Sequence, residues 1–482
     1  MTAHAFLPAL AAEKLRAELR GILGASHVLT DADALPFLTD QRGQLTGRAV
    51  AVVRPANTAE VAQVVALCAR HGTPIVPQGG NTGLCGGATP DDSGRAVLLS
   101  LARLNRIRSI DTENDSLVAE AGCVLAAVQA AANEAGRLFP LSLGSEGSCT
   151  IGGNLGTNAG GTQVLRYGNA RQLTLGLEVV TPSGEIWDGL KGLRKDNTGY
   201  DLRDLYIGSE GTLGIITAAT LRLFPQPAAE RTAFVAFPSL PAAVEFLAVA
   251  RIGLGESLTA FEVISSTCLD LVRRHIPQAS FPGDAEERSA PWHALVEIGG
   301  SDDESATAQR LERVLANALE RGLLRNAVIA SSIAQSQALW HLRDALLGEA
   351  LRRAGGATSH DISVPVSRIP AFIVEAEARL QRLVPGVQIY AFGHLGDGNL
   401  HYNALPPAEL RSPQTHEQLR RLVHDAAVAQ GGSISAEHGL GQVKNKELAR
   451  YKSTVELQLM RAIKAALDPQ GLMNPGKVLP PG

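Results

Sequence analysis

The chain has 482 residues, of which 45% are hydrophobic and 19% charged, a globular mix long enough for two to four domains of roughly 100–200 residues. A net charge of −4 and only 4% aromatic residues argue against nucleic acid as a partner, which needs a concentrated basic face and a platform for base stacking. No apolar run approaches the roughly 18 residues of a membrane span.

Residues 1–25 mix charge and alanine in a helical pattern, without the basic-then-apolar layout of a signal peptide, so the cytoplasm is the expected compartment. Five cysteines, Cys68, Cys85, Cys123, Cys149 and Cys268, are odd in number and show no C-x-x-C spacing. That excludes a disulfide framework and a cysteine metal site and leaves buried thiols. After an N-terminal helical segment (1–45), residues 48–53 read as a strand and 58–71 as a helix. Thr58 is its expected N-cap, and Val61, Val64, Val65 and Cys68 share one face. Strands are expected at 73–76 and 116–120, a helix at 124–135, and a hairpin at 173–181 and 185–187 around Pro182-Ser183-Gly184. A long strand at 213–224 ends at Pro225-Gln226-Pro227, the expected domain boundary. Beyond it, strand-like pieces at 232–237, 259–263, 293–298 and 327–330 alternate with charged helices at 304–321 and 333–354, the texture of a separate α+β domain. The segments 46–226, 227–430 and 431–482 are the expected units after the N-terminal one.

Glycine is the informative residue. The chain has 49, clustered at 79–87, 144–161, 208–214, 393–398 and 431–441. Such groups mark backbone that turns sharply or lies against a ligand. Residues 77–87 (PQGGNTGLCGG) follow a strand and offer unobstructed backbone N–H groups, as a pyrophosphate requires; a tight turn would use the same residues. No G-x-G-x-x-G follows a strand and opens a helix, so a nicotinamide fold is not indicated. Residues 140–161 (PLSLGSEGSCTIGGNLGTNAGG) thread small hydroxyl and amide side chains through glycines for far longer than one turn needs.

At this point the sequence resembles the FAD-binding vanillyl-alcohol oxidase and p-cresol methylhydroxylase family. Arg166-Tyr167-Gly168, Gly208–Gly214 with Ile215-Ile216, and Asn474-Pro475-Gly476-Lys477 continue the match in order along nearly the whole chain. The resemblance implies an α+β protein: a two-part FAD-binding domain plus an α+β substrate (cap) domain with an antiparallel sheet. It places Pro77, Gly79, Gly80, Asn81, Thr82, Gly83 and Leu84 at the pyrophosphate. Pro140, Gly144, Ser145, Thr150, Gly152, Gly153, Asn154, Thr157, Asn158 and Gly161 are implied along the ribityl chain and ring, Ile216 at the adenine side, and Asn474 at the ring. Members that tether the flavin often carry His where this chain has Asn81, so FAD is expected to be held non-covalently.

Residues 388–403 (QIYAFGHLGDGNLHYN) read as strand, glycine turn, strand, with His394 and His401 on the two arms. Ser435-Ala436-Glu437-His438-Gly439 follows. Two imidazoles and a carboxylate suit zinc or a similar cation and leave positions open for substrate; core histidines and a solvated acid would give the same residues. These motifs resemble the D-2-hydroxyglutarate and D-lactate dehydrogenase branch of the family. The resemblance implies His394, His401 and Glu437 as metal ligands, His438 as base, and Asn403 and Arg343 as substrate contacts. It also implies a small D-2-hydroxy acid as substrate and hydride transfer to flavin N5. A separate acceptor is expected, such as an electron-transfer flavoprotein or a quinone-linked carrier, since no iron–sulfur motif is present; a homodimer is allowed. The alternative is the flavin subunit of a multi-component glycolate oxidase-type complex. Two departures stand out: Ser359 occupies a position where many members carry Lys, and Leu347 is apolar one turn after Arg343. Both leave room for a shorter or more apolar acid.

Overall fold

A computed structural model describes residues 9–282 and 289–480; residues 1–8 of the expected N-terminal helical segment lie outside them. The chain divides into two compact units, Met1–Gly160 with Asn169–Pro225 and Glu437–Gly482, and Gly161–Gly168 with Gln226–Ala436.

In the first unit, Ala51–Val53, Val97–Ser100 and Ile75–Gln78 pair in parallel, and Val28–Leu29 adds an antiparallel edge. The parallel strands are apolar almost throughout, as a sheet covered on both faces requires. The helix Thr58–Arg70 follows, with Val61, Val64, Val65 and Cys68 buried as its period predicts. Its N-cap is Asn57, one residue before the expected Thr58. The Asn57 side chain accepts from the Glu60 N–H, while the Thr58 hydroxyl donates to the Glu178 carboxylate at 2.6 Å. A second, antiparallel sheet runs in the order Ile107–Asp111, Ser116–Glu120, Ile215–Arg222, Thr174–Val180, Ile186–Gly189. Its last two strands form the hairpin expected around Ser183.

The second glycine patch departs from a continuous loop. Ile151–Thr157 is a short helix despite Gly152, Gly153 and Gly156. Gly152 presses on Ala121, just after the strand Ser116–Glu120, where an added Cβ would lie 2.7 Å from the Ala121 Cβ, so packing overrides weak helix propensity.

The second unit is built on a seven-stranded sheet. Its order is Asn326–Ile329, Ala229–Phe237, Trp292–Gly300, Leu258–Ser265, Gln388–His394, Asn399–Leu405, Thr358–Ser363, and every recorded pairing is antiparallel. Directly opposed residues project to one face, and the two faces differ sharply. One carries Phe261, Val263, Ala391, Leu400, Tyr402 and Ile362 into the apolar core beneath the helices Leu240–Leu254 and Ile369–Leu383. Burying a side chain such as Phe261 contributes about 1.5–3 kcal/mol. The other face carries a second apolar cluster that includes Phe234, Ile264 and Phe392, together with the polar residues described next. The charged helix expected over 333–354 is broken by a π-helical turn, Leu342–Leu346, between Ile333–His341 and Leu347–Ala354. Such turns re-aim side chains and recur at functional sites; this one carries Arg343.

Candidate active site

In the first unit, the glycine patches close around a cavity. Its walls include Pro77, Gly79, Gly80, Asn81, Thr82, Gly83, Thr150, Gly152, Gly153, Asn154, Thr157 and Ile216, all expected along the cofactor. A Cβ at Gly79 would lie 2.4 Å from the Thr150 hydroxyl, and one at Gly80 2.1 Å from the Ser148 carbonyl oxygen. The first two patches therefore approach so closely that only glycine fits. Leu84, Pro140, Gly144, Ser145, Asn158 and Asn474 are not among the residues lining this cavity, and Gly161 falls in the other unit. Asn158 has a local task instead: it sits at φ +53° at the end of Ile151–Thr157 and accepts from the Arg171 N–H. Asn474 stands one step behind the wall, donating to the carbonyl oxygens of Gly87 and Glu210.

Thr150 Oγ1 in the wall, and Asn474 Oδ1 behind it, are buried and have no protein partner. Buried polar atoms normally have one, so a ligand rich in hydrogen-bonding groups suits this wall, and the residues fit FAD. Asn81, at φ +54°, donates to the Thr39 carbonyl oxygen at 2.8 Å. Cys149 is 2% exposed, and burial pushes its thiol pKa up, as expected of a packed thiol.

The sequence reading missed Glu210, which also lines the cavity. It holds φ +51° without being glycine, and its carboxylate accepts from the Leu440 and Gly441 N–H groups at 2.7 and 2.8 Å. Burial pushes its pKa up. Glu210 thereby pins the segment after His438, a residue of the cavity wall. Glu437 and His438 approach within 3.8 Å of each other.

In the second unit, the expected hairpin is present, with Gly393 (φ +147°) and Gly398 (φ +88°) in conformations that suit glycine. Register puts Glu262 opposite His394, Phe392 opposite His401, and Asp361 opposite His401. Asn403 and Ser359 form the next opposed pair. All therefore share the polar face. The rings of His394 and His401 stand edge to face, 5.6 Å between centroids. Asp361, also missed from sequence, offers a ligand atom within 4.8 Å of one on His401. Its carboxylate accepts from Asn399 Nδ2 at 2.9 Å and from the N–H of Ala436 at 3.1 Å, and Glu437 follows Ala436 in the chain.

Arg343 is 8% exposed. Its Nε and Nη2 donate to Glu262 Oε2 at 2.8 and 2.7 Å, and its guanidinium lies 5.2 Å from the Phe392 ring centroid. His394 Nδ1 bonds the other Glu262 oxygen, and its Nε2 lies 3.4 Å from Arg343 Nη2. Burial works to raise the Glu262 pKa, but the Arg343 charge and the hydrogen bonds from Arg343 and His394 outweigh it and hold the carboxyl down at about 2. Asn403 donates to the carbonyl oxygens of Tyr390 and His401, bracing the hairpin. Leu347 is buried in an apolar cluster with Ile264 and Phe392, while Ser359 is exposed. Among the described residues, no helix is long and apolar enough to cross a membrane.

Residues 49–189 match the FAD binding domain, and residues 226–478 match the C-terminal domain of FAD linked oxidases. The chain is 40% identical to "D-2-hydroxyglutarate dehydrogenase, mitochondrial" of Bos taurus, covering 94% of this chain and 81% of that protein. It is 39% identical to the protein of the same name from Arabidopsis thaliana, covering 95% and 80%. It is also 39% identical to "D-2-hydroxyglutarate dehydrogenase" of Xanthomonas citri pv. viticola, covering 93% of each. Among solved structures, p-cresol methylhydroxylase with substrate bound superposes with TM-score 0.77 at 18% identity, covering 98% of both chains. An alkyldihydroxyacetonephosphate synthase superposes with TM-score 0.74 at 18% identity, covering 96% of this chain and 84% of that one. At that identity the likeness shows a shared fold.

Proposed function

Since the chain belongs to the FAD-linked oxidases, with both of their domains matched, we propose that it is an FAD-dependent dehydrogenase that oxidises a D-2-hydroxy acid to the 2-oxo acid. The observation that carries the reading is the position of His438, an imidazole in the wall of the glycine-lined cavity that fits FAD. Bound there, FAD supplies the hydride acceptor at N5, and a divalent cation such as zinc supplies Lewis-acid polarisation of the substrate hydroxyl. His438 takes the hydroxyl proton, the task imidazole most often performs in proton transfer. Arg343 pairs with the substrate carboxylate, Asn403 orients it, and His394, His401 and Glu437 are the metal ligands. Electrons leave to a separate carrier, such as an electron-transfer flavoprotein or a quinone-linked protein. The full His/His/Glu/His set argues against the alternative of a partner-dependent flavin subunit.

FAD is held without a covalent bond, because an Asn81 amide cannot form the tether that a histidine forms there. Acid precipitation of the purified protein should leave the yellow colour in the supernatant; colour retained in the pellet contradicts this.

The relatives' names make D-2-hydroxyglutarate the first substrate to try. A monocarboxylate is the second reading, favoured by Ser359, which brings no cation beside Asn403, and by Leu347, which lies in the apolar cluster. A carboxylate buried without a charged partner costs several kcal/mol. We therefore expect D-lactate or a longer monocarboxylic D-2-hydroxy acid to be used at least as well as D-2-hydroxyglutarate. An initial-rate screen of D-2-hydroxy acids with a dye acceptor tests both levels. A kcat/KM strongly favouring D-2-hydroxyglutarate removes the monocarboxylate reading. Absence of turnover with every acid in the FAD-loaded protein removes the proposed reaction.

A further inference from the structure

Glu262 has no place in the chemistry described so far, yet it is the most enclosed charge on the polar face of the sheet, with a side chain 1% exposed. It is the one charge in a fully buried strand, LTAFEVIS. A lone carboxylate there would cost several kcal/mol, so its partners define its purpose. One oxygen accepts from both Nε and Nη2 of Arg343, which fixes the plane of the guanidinium. The other meets His394 Nδ1. The carboxylate can only accept, so Nδ1 carries the hydrogen and Nε2 is the acceptor nitrogen, which faces Arg343 Nη2 at 3.4 Å and has the lone pair that a metal ligand needs.

We propose that Glu262 is the positioning residue of this site: its single buried carboxylate sets both the substrate-clamping guanidinium of Arg343 and the ligating orientation of the His394 ring. The inference rests on the function proposed above. It predicts that one substitution, at a residue that is neither ligand nor substrate contact, disturbs metal binding and substrate affinity together. A carboxylate that merely neutralised Arg343 would leave metal affinity untouched.

The test compares the FAD-loaded parent with Glu262→Gln and Glu262→Asp. Zinc affinity is measured by competition with a chromophoric chelator, with the flavin spectrum recorded for each protein and KM and kcat measured separately. In Glu262→Gln, one amide oxygen cannot accept from both partners, and its NH2 faces a donor. Zinc affinity should fall about 10–100-fold, the usual effect of losing a partner of a metal-bound histidine, and KM should rise while the flavin spectrum stays that of the parent. Glu262→Asp retains the charge, so it guards against a Gln variant that does not fold. A carboxylate one methylene shorter cannot span both partners, and it too should lose zinc affinity or raise KM. Parent-like zinc affinity and KM in either folded variant overturn the assignment while leaving the enzyme reading intact. A parent that binds no metal and oxidises no D-2-hydroxy acid overturns both.

Discussion

Replacing His438 with alanine should slow flavin reduction by about 10²–10⁴-fold, the usual contribution of a positioned general base, while leaving the flavin bound. His438 forms part of the wall of the glycine-lined cavity that fits FAD. The segment after it is held independently by Glu210 through the Leu440 and Gly441 N–H groups, so truncating the ring should not release the loop. Anaerobic stopped-flow mixing isolates the step, because the reoxidising partner is absent. Reduction of the variant at the parent rate would place the base elsewhere.

Loss of the proposed metal should be as severe. His401→Ala, or exhaustive dialysis against a chelator, should cut turnover at least a hundredfold. Lewis-acid stabilisation of a developing alkoxide is worth several kcal/mol, and each 1.36 kcal/mol is about tenfold in rate. The flavin should stay, since every residue lining its cavity belongs to the first unit and His401 to the second. His401 is only half-buried on its strand, so its removal opens no large cavity in the core. Zinc added back to the dialysed parent should restore activity, whereas added zinc should not restore the variant. Full turnover in metal-free protein would return His401 and His394 to a structural role.

Much of this arrangement is legible in the sequence because glycine and histidine leave local marks. Gly393 and Gly398 announce the turn, the period of two sets His394 and His401 on the arms, and the Gly79–Gly87 and Gly144–Gly161 patches mark close backbone contact. What escaped depends on pairing at long range. Glu262 is one acid in a buried strand, and only its register with Gln388–His394 sets it opposite His394. Asp361 becomes relevant through its pairing with His401, forty residues on in the chain. Glu210 sits inside a glycine patch that reads as a turn, and its purpose appears only when residues 440 and 441 return to it. The π-helical turn at Leu342–Leu346 has no composition of its own. The helix Ile151–Thr157 runs against the propensity of its glycines, because contact with Ala121 decides the backbone there. One acid in a strand could still have raised suspicion, since an unpaired charge is rarely fully buried.

The proposed function stands or falls on hydride transfer from a D-2-hydroxy acid onto a bound FAD. Its most direct measurement is the visible spectrum of the purified protein under anaerobic conditions, before and after addition of D-2-hydroxyglutarate or D-lactate, with the L-enantiomers as controls. The expected result is an oxidised-flavin spectrum that bleaches with at least one D-acid, and not with its L-enantiomer, with one 2-oxo acid formed per flavin reduced. A flavin that stays oxidised with every D-acid while a chemical reductant bleaches it, or a protein that cannot be loaded with FAD at all, would contradict it.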